Sequence, residues 1–397
     1  MLRIKMYPAK NGDAFLLSSE KTHILIDGGY PSTFSHAISD DLHVLASQGK
    51  SLDLIIVTHI DADHIGGILR LLSVNGSATE PTIIPIEQIW HNSLRSLTSP
   101  CEHKIPPEQH TLLQAINQRG HPFSLRDTAS GNVPNEISAK QGCSLARLIF
   151  AGGYSWNGGD GTMPVSAGTV YTLPHNEDIV AVLTPSNARL QDLLALWKKY
   201  LQRIGYRMPA GSGEIIDDAF EFTLEHLPEV KEGSSRLISA SGKKTLEDTY
   251  TADLSVTNGS SISAIFDIGG VRLLMLADAW AEDVVTSLKA LAGQGVSMMF
   301  DAIKIAHHGS FHNTSPELLN LVDAPVYFIS TDGSKHDHPD SEVLAAIVDR
   351  PADFPRTLYF NYATPSSGEI RHHISAANSD FTVIENAADW IEIGNDQ

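Results

Sequence analysis

His59, Asp61, Asp63 and His64 set two imidazoles and two carboxylates side by side in the segment THIDADH. If the backbone runs extended there, His59, Asp61 and Asp63 point the same way, because strand side chains alternate with period two. His64 joins them only if the chain turns, and Gly66 and Gly67 permit that turn. Groups of this kind crowded together repel or desolvate one another unless cations neutralise them, so the pattern points to divalent metal, as a pair of ions. The alternative is ordinary: polar loop residues, with Asp63 as the N-cap of the helix that follows.

The elements that would position these residues are legible on either side. Leu52 to Val57 is a short solid apolar run, the signature of a strand buried on both faces, and Ile65, Ile68, Leu69 and Leu72 recur at helical spacing after it. Upstream, Leu2 to Tyr7, Ala14 to Ser18 and His23 to Asp27 read as strands separated by turns at Asn11-Gly12-Asp13 and Glu20-Lys21, with a helix over 33–48 to follow. Asp27, before Gly28-Gly29, caps a turn or supports a metal ligand. Downstream, Ile262 to Phe266 and Val271 to Leu276 form a hairpin around Gly269-Gly270, and the second strand delivers Asp278. After a helix over Ala281 to Ala292, the strand Ala302 to Ile305 opens on His307-His308-Gly309-Ser310. A helix start follows, with Thr314 and Glu317 as a capping box or Pro316 at its first position. The strand Val326 to Ser330 then precedes His336, His338 and Pro339, so three strands in succession end in ligand-type residues.

Between these blocks the pattern weakens. Two insertions are expected, at about 91–170 and 187–255, the latter polar and loop-like from 208 onward with Gly211, Gly213, Gly233 and Gly242. Trp90-His91-Asn92 opens the first and either reaches a site or is satisfied in the core. Ile179 to Leu183 is a strand between the insertions. Leu190 to Leu201 has helical spacing, and its end carries Lys198, Lys199, Arg203 and Arg207, either a solvated face or a local anion patch.

With 397 residues, 42% hydrophobic and 19% charged, the chain is neither disordered nor fibrous in composition. Its 28 Lys+Arg against 47 Asp+Glu give a formal charge of −19, which opposes non-specific adhesion to nucleic acid or anionic membrane; a polyanionic substrate must be held locally. The opening MLRIKMYPAK lacks the apolar core of a signal peptide, and no apolar run approaches the ~20 residues needed to span a bilayer, so no membrane partner and a cytoplasmic location are expected. Cys101 and Cys143 read as structural thiols.

Taken together the motifs resemble the metallo-β-lactamase fold superfamily, and within it the hydrolase-like domain of the ComEC competence proteins. The likeness rests on Gly12-Asp13-Ala14, Asp27-Gly28-Gly29, Thr58 to Gly67, Asn258 to Ser261, Leu276-Ala277-Asp278, Lys304 to Ser310 and His338-Pro339, and covers roughly 1–90 and 255–365. It implies an α/β (α+β) class, an αββα sandwich forming a single domain over 1–397, and two divalent ions, Zn²⁺ or Mn²⁺, at one edge. By this resemblance His59 and Asp61 hold one metal, Asp63 and His64 the other, Asp278 bridges them, and His307 or His308 completes the second, with Asp27 and Asn258 behind the ligands. Asp61 stands where a second histidine is usual and Asn258 near where a third is expected; carboxylate-rich shells suit Mn²⁺ or Mg²⁺, imidazole suits Zn²⁺.

The implied reaction is hydrolysis. Two metals about 3.5–4 Å apart generate hydroxide at neutral pH and stabilise displacement at phosphorus, which favours a phosphodiester substrate, either nucleic acid or a small molecule. Asp63 would then take part in catalysis, Ser310 would offer a donor to phosphate oxygens, and His338 would be the acid for the leaving oxygen. The rivals are hydrolysis of a small ester, lactone or lactam, and a docking role in a multiprotein bacterial system, with protein partners bound through the insertions.

Overall fold

The computed structural model describes residues 1–119, 143–174, 177–225 and 244–394. Its strands are, in chain order, β1 Leu2–Met6, β2 Phe15–Ser18, β3 His23–Ile26, β4 Leu54–Ile56, β5 Ile89–Trp90, β6 Val170–Thr172, β7 Ile179–Thr184, β8 Ser263–Ile268, β9 Val271–Met275, β10 Ala302–Lys304, β11 Val326–Ile329, β12 Arg356–Phe360, β13 Phe381–Ile384 and β14 Ile391–Ile393. They form two sheets, ordered β14-β1-β2-β3-β4-β5 and β13-β12-β11-β10-β9-β8-β7-β6.

Period-two alternation decides the layers. Leu2, Ile4, Phe15, Leu17, Ile24, Ile26, Leu54 and Ile56 of the first sheet share a core with Ala264, Phe266, Leu273, Met275 and Phe328 of the second. Their strand neighbours Leu16, Leu25 and Ile55 face the other way and pack with Ile65, Ile68 and Leu72 of the helix Ala62–Asn75. On the far side of the second sheet, Leu274, Ile303 and Tyr327 lie under Val284 and Leu288 of the helix Ala281–Ala292 and Leu344 and Ile347 of Ser341–Val348. Each sheet therefore buries one face on the other sheet and one under helices, an αββα sandwich. β3 runs parallel to β4, and β9, β10 and β11 are mutually parallel. The segments that follow these strands consequently leave from the same edge.

The second inserted span has its helix where the spacing of Leu190 to Leu201 places one, and departs from its loop-like expectation past 208. Helices occupy Asn187–Arg203 and Glu214–Glu225, and Trp197, Phe220 and Leu224 join the core over the first sheet with Leu113, Leu145 and Ile149 of the other span. Buried acids in Glu214–Glu225 hide its helical pattern. Glu221 accepts from Leu145 N and, at 3.0 Å, from Ala146 N, while Asp218 accepts from Ser144 N at 2.8 Å. These carboxylates satisfy the open N–H groups at the start of the helix Leu145–Gly152, where negative charge is favoured. His91 pairs with Glu221 Oε1 at 2.9 Å and stacks on Trp156 with centroids 6.3 Å apart, so it belongs to this lock between layers. Gly233 and Gly242 lie outside the described residues. Cys101 and Cys143 form no disulfide, and no described helix is long and apolar enough to cross a membrane.

Asp217 on the same helix gives a pH prediction. Burial pushes its carboxyl up to about 7, despite donors from Gly213 N and Ser212 Oγ. The unfolded value is about 3.9, so between those limits the folded state binds more protons and stability falls as pH rises. Asp217→Asn is expected to raise the melting temperature relative to wild type at pH 8.5, with the gap much smaller at pH 5 and closing only below about pH 4, read by thermal unfolding across that range.

Candidate metal centre

The first sheet supplies one half of the site. Asp27, directly after β3 with φ 54°, accepts from Thr58 N at 2.8 Å, Thr58 Oγ1 at 2.7 Å and His64 Nδ1 at 2.8 Å. Thr58 Oγ1 in turn meets His59 Nδ1 at 3.0 Å. The helix begins at Ala62 with Asp61 in the N-cap position, and Asp61 makes no side-chain cap bond. Asp63 thus lies in the first turn, not at the cap, and its carboxylate takes a hydrogen bond from Asn11 Nδ2. This helix can lie on the β3 loop only because of glycine: a Cβ on Gly67 would stand 1.9 Å from Gly28 O.

The second sheet supplies the other half from the ends of β9 and β10. Asp278 follows Ala277, which has φ 49°, and His307 and His308 lie in a tight turn with φ 42° and 58°. Left-handed backbone at three non-glycine residues is a concentration of strain that the surrounding structure must hold in place. It is held by anchors: His307 Nδ1 lies 2.7 Å from Asn313 Oδ1, and His308 Nδ1 lies 2.7 Å from Ser330 O.

All four imidazoles therefore engage an acceptor through Nδ1, which assigns the proton there and leaves the Nε2 lone pair facing inward. The Nε2 atoms converge on one oxygen. Asp278 Oδ2 lies 3.4 Å from His64, 3.5 Å from His308, 3.8 Å from His59 and 3.8 Å from His307. Nε2 of His59 and of His64 is buried without a hydrogen-bond partner. Lone pairs facing a carboxylate in a buried site are satisfied by a proton or a cation between them, and a set of imidazoles around a carboxylate fits divalent metal. Ligand-capable atoms lie within 4.8 Å of one another in the groups His59–His64–Asp278, Asp63–His64–His308 and Asp278–His307–His308. His308 is thus the histidine grouped with Asp63 and His64.

Protons compete for the same positions. Burial opposes charge on His64, but Asp278 and Asp27 outweigh it and push the imidazole well above its usual range. Burial likewise disfavours the charge on Asp278, yet the facing His308, His64 and His307 hold it well below the usual carboxylate range. Cations bound there would displace protons, making occupancy fall with acid.

The remaining sequence candidates fall at different depths. Asp61 Oδ2 is 3.5 Å from His59 Nε2 and 3.5 Å from Thr257 Oγ1. Asn258 is in the helical turn Val256–Gly259; it donates to Asp253 Oδ2, which also takes Asn313, the partner of His307. Asn258 therefore stands two side chains behind a ligand candidate. Ser310 Oγ is buried and accepts from His312 N at 3.1 Å, bracing the turn. The next helix, Pro316–Leu321, is capped by Ser315 rather than Thr314, with Pro316 at its start as expected. His338 is buried with its ring 5.4 Å from that of His307, and burial takes it down to about 4. Lys198, Lys199, Arg203 and Arg207 are exposed, and Arg207 N meets Gln109 of the inserted helix Pro107–Arg119.

Two buried residues at the centre were quoted within motifs but given no role by sequence reading. Lys304 Nζ pairs with Asp13 and lies 3.8 Å from Asp278 Oδ1 and 3.2 Å from Ala277 O. Asp13 Oδ1 is 3.4 Å from His308 Nδ1. The signal for them is a lysine among apolar strand residues, a position that needs a buried acid as partner.

Residues 7–80 match the family model described as Metallo-beta-lactamase superfamily. Over this stretch the chain is similar to that superfamily. Its matched stretch holds Asp13, Asp27, His59, Asp61, Asp63 and His64. Among curated proteins, the anti-Pycsar protein Apyc1 of Bacillus phage 010DV004 is 34% identical over 106 residues, covering 25% of this chain and 39% of that protein. Its namesake from Bacillus phage vB_BsuM-Goe3 is 32% identical over 91 residues, 21% of this chain and 33% of the relative. The chain thus spans well under half the length of these relatives. Among solved structures, the metallo-beta-lactamase fold protein YhfI from Bacillus subtilis aligns over 99% of this chain and 100% of its own, at 9% identity and a TM-score of 0.38.

Proposed function

We propose that this chain is a metal-dependent hydrolase of phosphodiester bonds, built like the nuclease-like ComEC branch that its motifs resemble. The observation that carries the reading is the convergence of four Nδ1-anchored imidazoles on Asp278 Oδ2. His59, Asp61, Asp63, His64, His308 and Asp278 would hold a pair of divalent ions, which when bound lower the pKa of water and stabilise negative charge developing on both oxygens of an in-line displacement. Asp278 sets the centre by offering Oδ2 inward while Oδ1 faces Lys304. His338, neutral at pH 7, donates a hydrogen bond toward the leaving oxygen from beside His307, rather than acting as an imidazolium. The acidity of the chain favours a small phosphodiester over a long polyanion. Kinship with phage proteins named anti-Pycsar is compatible with such a role and reaches only the matched stretch.

The test is a substrate panel with Zn²⁺ or Mn²⁺ supplied: bis(4-nitrophenyl) phosphate, a small cyclic phosphodiester, single-stranded DNA, duplex DNA, RNA and a lactone. Turnover of a phosphodiester that stops on chelation is the expected result. Lactone opening with no phosphodiester cleavage would assign the chain to the rival hydrolase class.

A further inference from the structure

We infer that Asn11 and Tyr30 are positioning residues that present the Asp63 carboxylate to the metal centre, a role that rests on the hydrolase reading above. The other ligand candidates of the Asp63–His64–His308 group are fixed from behind by Asp27 and by Ser330 O. Asp63 projects from the first turn of its helix and is half-buried, and Asn11 hydrogen-bonds its carboxylate. A carboxylate can accept only from the Nδ2 end of an asparagine, so the amide must be held in one of its two flips. Tyr30 does this by donating its hydroxyl to Asn11 Oδ1 at 3.0 Å. Burial and the charge of Asp63 keep the Tyr30 hydroxyl protonated and able to donate.

The loop carrying Asn11 is itself clamped. Lys10 O accepts from Asp332 N at 2.9 Å, Lys10 N donates to Tyr362 OH at 3.1 Å, and Gly12 O accepts from Ser330 Oγ at 2.8 Å, so the second sheet holds it. Lys10 Nζ lies 5.5 Å from the centre of the Tyr30 ring. Gly12 is pressed so closely on the Asp63 backbone that a Cβ would fall 1.9 Å from Asp63 O. Asp63 is thereby gripped at its backbone and at Oδ2, in a carboxylate that has an oxygen within 4.8 Å of the ligand nitrogens of His64 and His308. Hydrogen bonding one oxygen favours single-oxygen ligation over a two-oxygen grip on the cation.

The experiment measures divalent-cation affinity by competition with a chromophoric chelator, for wild type, Asn11→Ala, Tyr30→Phe, Asp63→Ala and the Asn11→Ala/Asp63→Ala double variant. Lost outer partners of a ligand weaken metal binding about 10- to 100-fold, which is the loss expected of Asn11→Ala for the more weakly held ion. Tyr30→Phe is expected to show a smaller loss in the same ion, and the double variant to bind as Asp63→Ala does. On bis(4-nitrophenyl) phosphate the Asn11→Ala loss should fall on kcat with KM little changed. Unaltered affinity in Asn11→Ala, or a double variant whose loss is the product of the two single losses, overturns the inference. If Asn11→Ala fails to fold, Tyr30→Phe decides, since it removes one hydroxyl and keeps the ring; unchanged affinity there overturns the inference. The affinity measurement needs no substrate, so coupled losses in a protein that cleaves no phosphodiester would support the positioning role and reject the phosphodiesterase reading. A wild type that binds no divalent cation rejects both.

Discussion

Asp278→Asn is expected to lower phosphodiester turnover on the order of a thousandfold or more, about 4 kcal/mol of barrier, while far-ultraviolet circular dichroism stays that of wild type. The size follows from the geometry. Four imidazole Nε2 atoms at 3.4 to 3.8 Å face Oδ2 of this one carboxylate, and no other carboxylate oxygen in the described structure gathers as many. Asparagine keeps the shape and removes the charge that two cations would share. Its amide can also donate to one of the facing Nε2 lone pairs, so the apo fold should hold while the cation site is lost. Elemental analysis is the second readout, with a fall in bound metal expected alongside the fall in rate. Wild-type metal content in the variant would remove Asp278 from the bridging position, and wild-type turnover would remove the centre itself from the reaction.

How much of this was legible without coordinates depends on whether a residue's neighbours are local. The strand-loop-helix unit around His59 to His64 can be read from a solid apolar run, paired glycines and helical spacing, and its observed bounds, β4 Leu54–Ile56 and helix Ala62–Asn75, differ from the reading by a few residues at the ends. The helix Ala281–Ala292 falls where its periodicity places it. Glu214–Glu225 was hidden because Asp218 and Glu221 sit where a core helix ordinarily shows apolar residues, and their partners, Ser144 to Ala146, are some 75 positions away. The same is true at the centre. Asn11 and Asp63 are separated by 52 positions, and Asp13 lies in the loop before β2 of the first sheet while Lys304 ends β10 of the second, so only the packing of the sandwich discloses these pairs. The choice between His307 and His308 is likewise invisible in sequence, since adjacent histidines are separated only by the left-handed turn that aims each ring. Ahead of the strand read from Ile262 and observed from Ser263, Ser255 accepts from Asn258 N and turns the segment into a helical cap, a fold-back that Asn258's residue type alone does not announce.

Lys304→Met is expected to destabilise the chelated protein by roughly 3–5 kcal/mol, because removing one partner of a buried ion pair leaves the other charge uncompensated. Lys304 is 1% exposed and Asp13 2%, so water cannot substitute for the lost ammonium. Asp13 is opposed by burial and held well below the usual carboxylate range by Lys304 first and His308 next. A depressed carboxylate contributes stability above its unfolded value, about 3.9, and loses it as pH falls through the folded one; the gap between wild type and variant should therefore be full at pH 7 and close in strong acid. Asp13→Asn combined with Lys304→Met should recover most of the loss, since the pair is then removed whole. Metal binding should respond in the opposite direction. Lys304 Nζ lies 3.8 Å from Asp278 Oδ1, so the ammonium repels any cation seated against Oδ2, and its removal leaves the centre one unit more negative. The variant is expected to bind divalent cation more tightly than wild type, and its melting temperature to rise further on metal addition than the wild type's does. Thermal unfolding of both proteins with chelator and with saturating Mn²⁺ at pH 7, and with chelator in a series descending below pH 3, separates the two effects. Equal stability of chelated wild type and variant at pH 7 would mean that Asp13 is satisfied without Lys304.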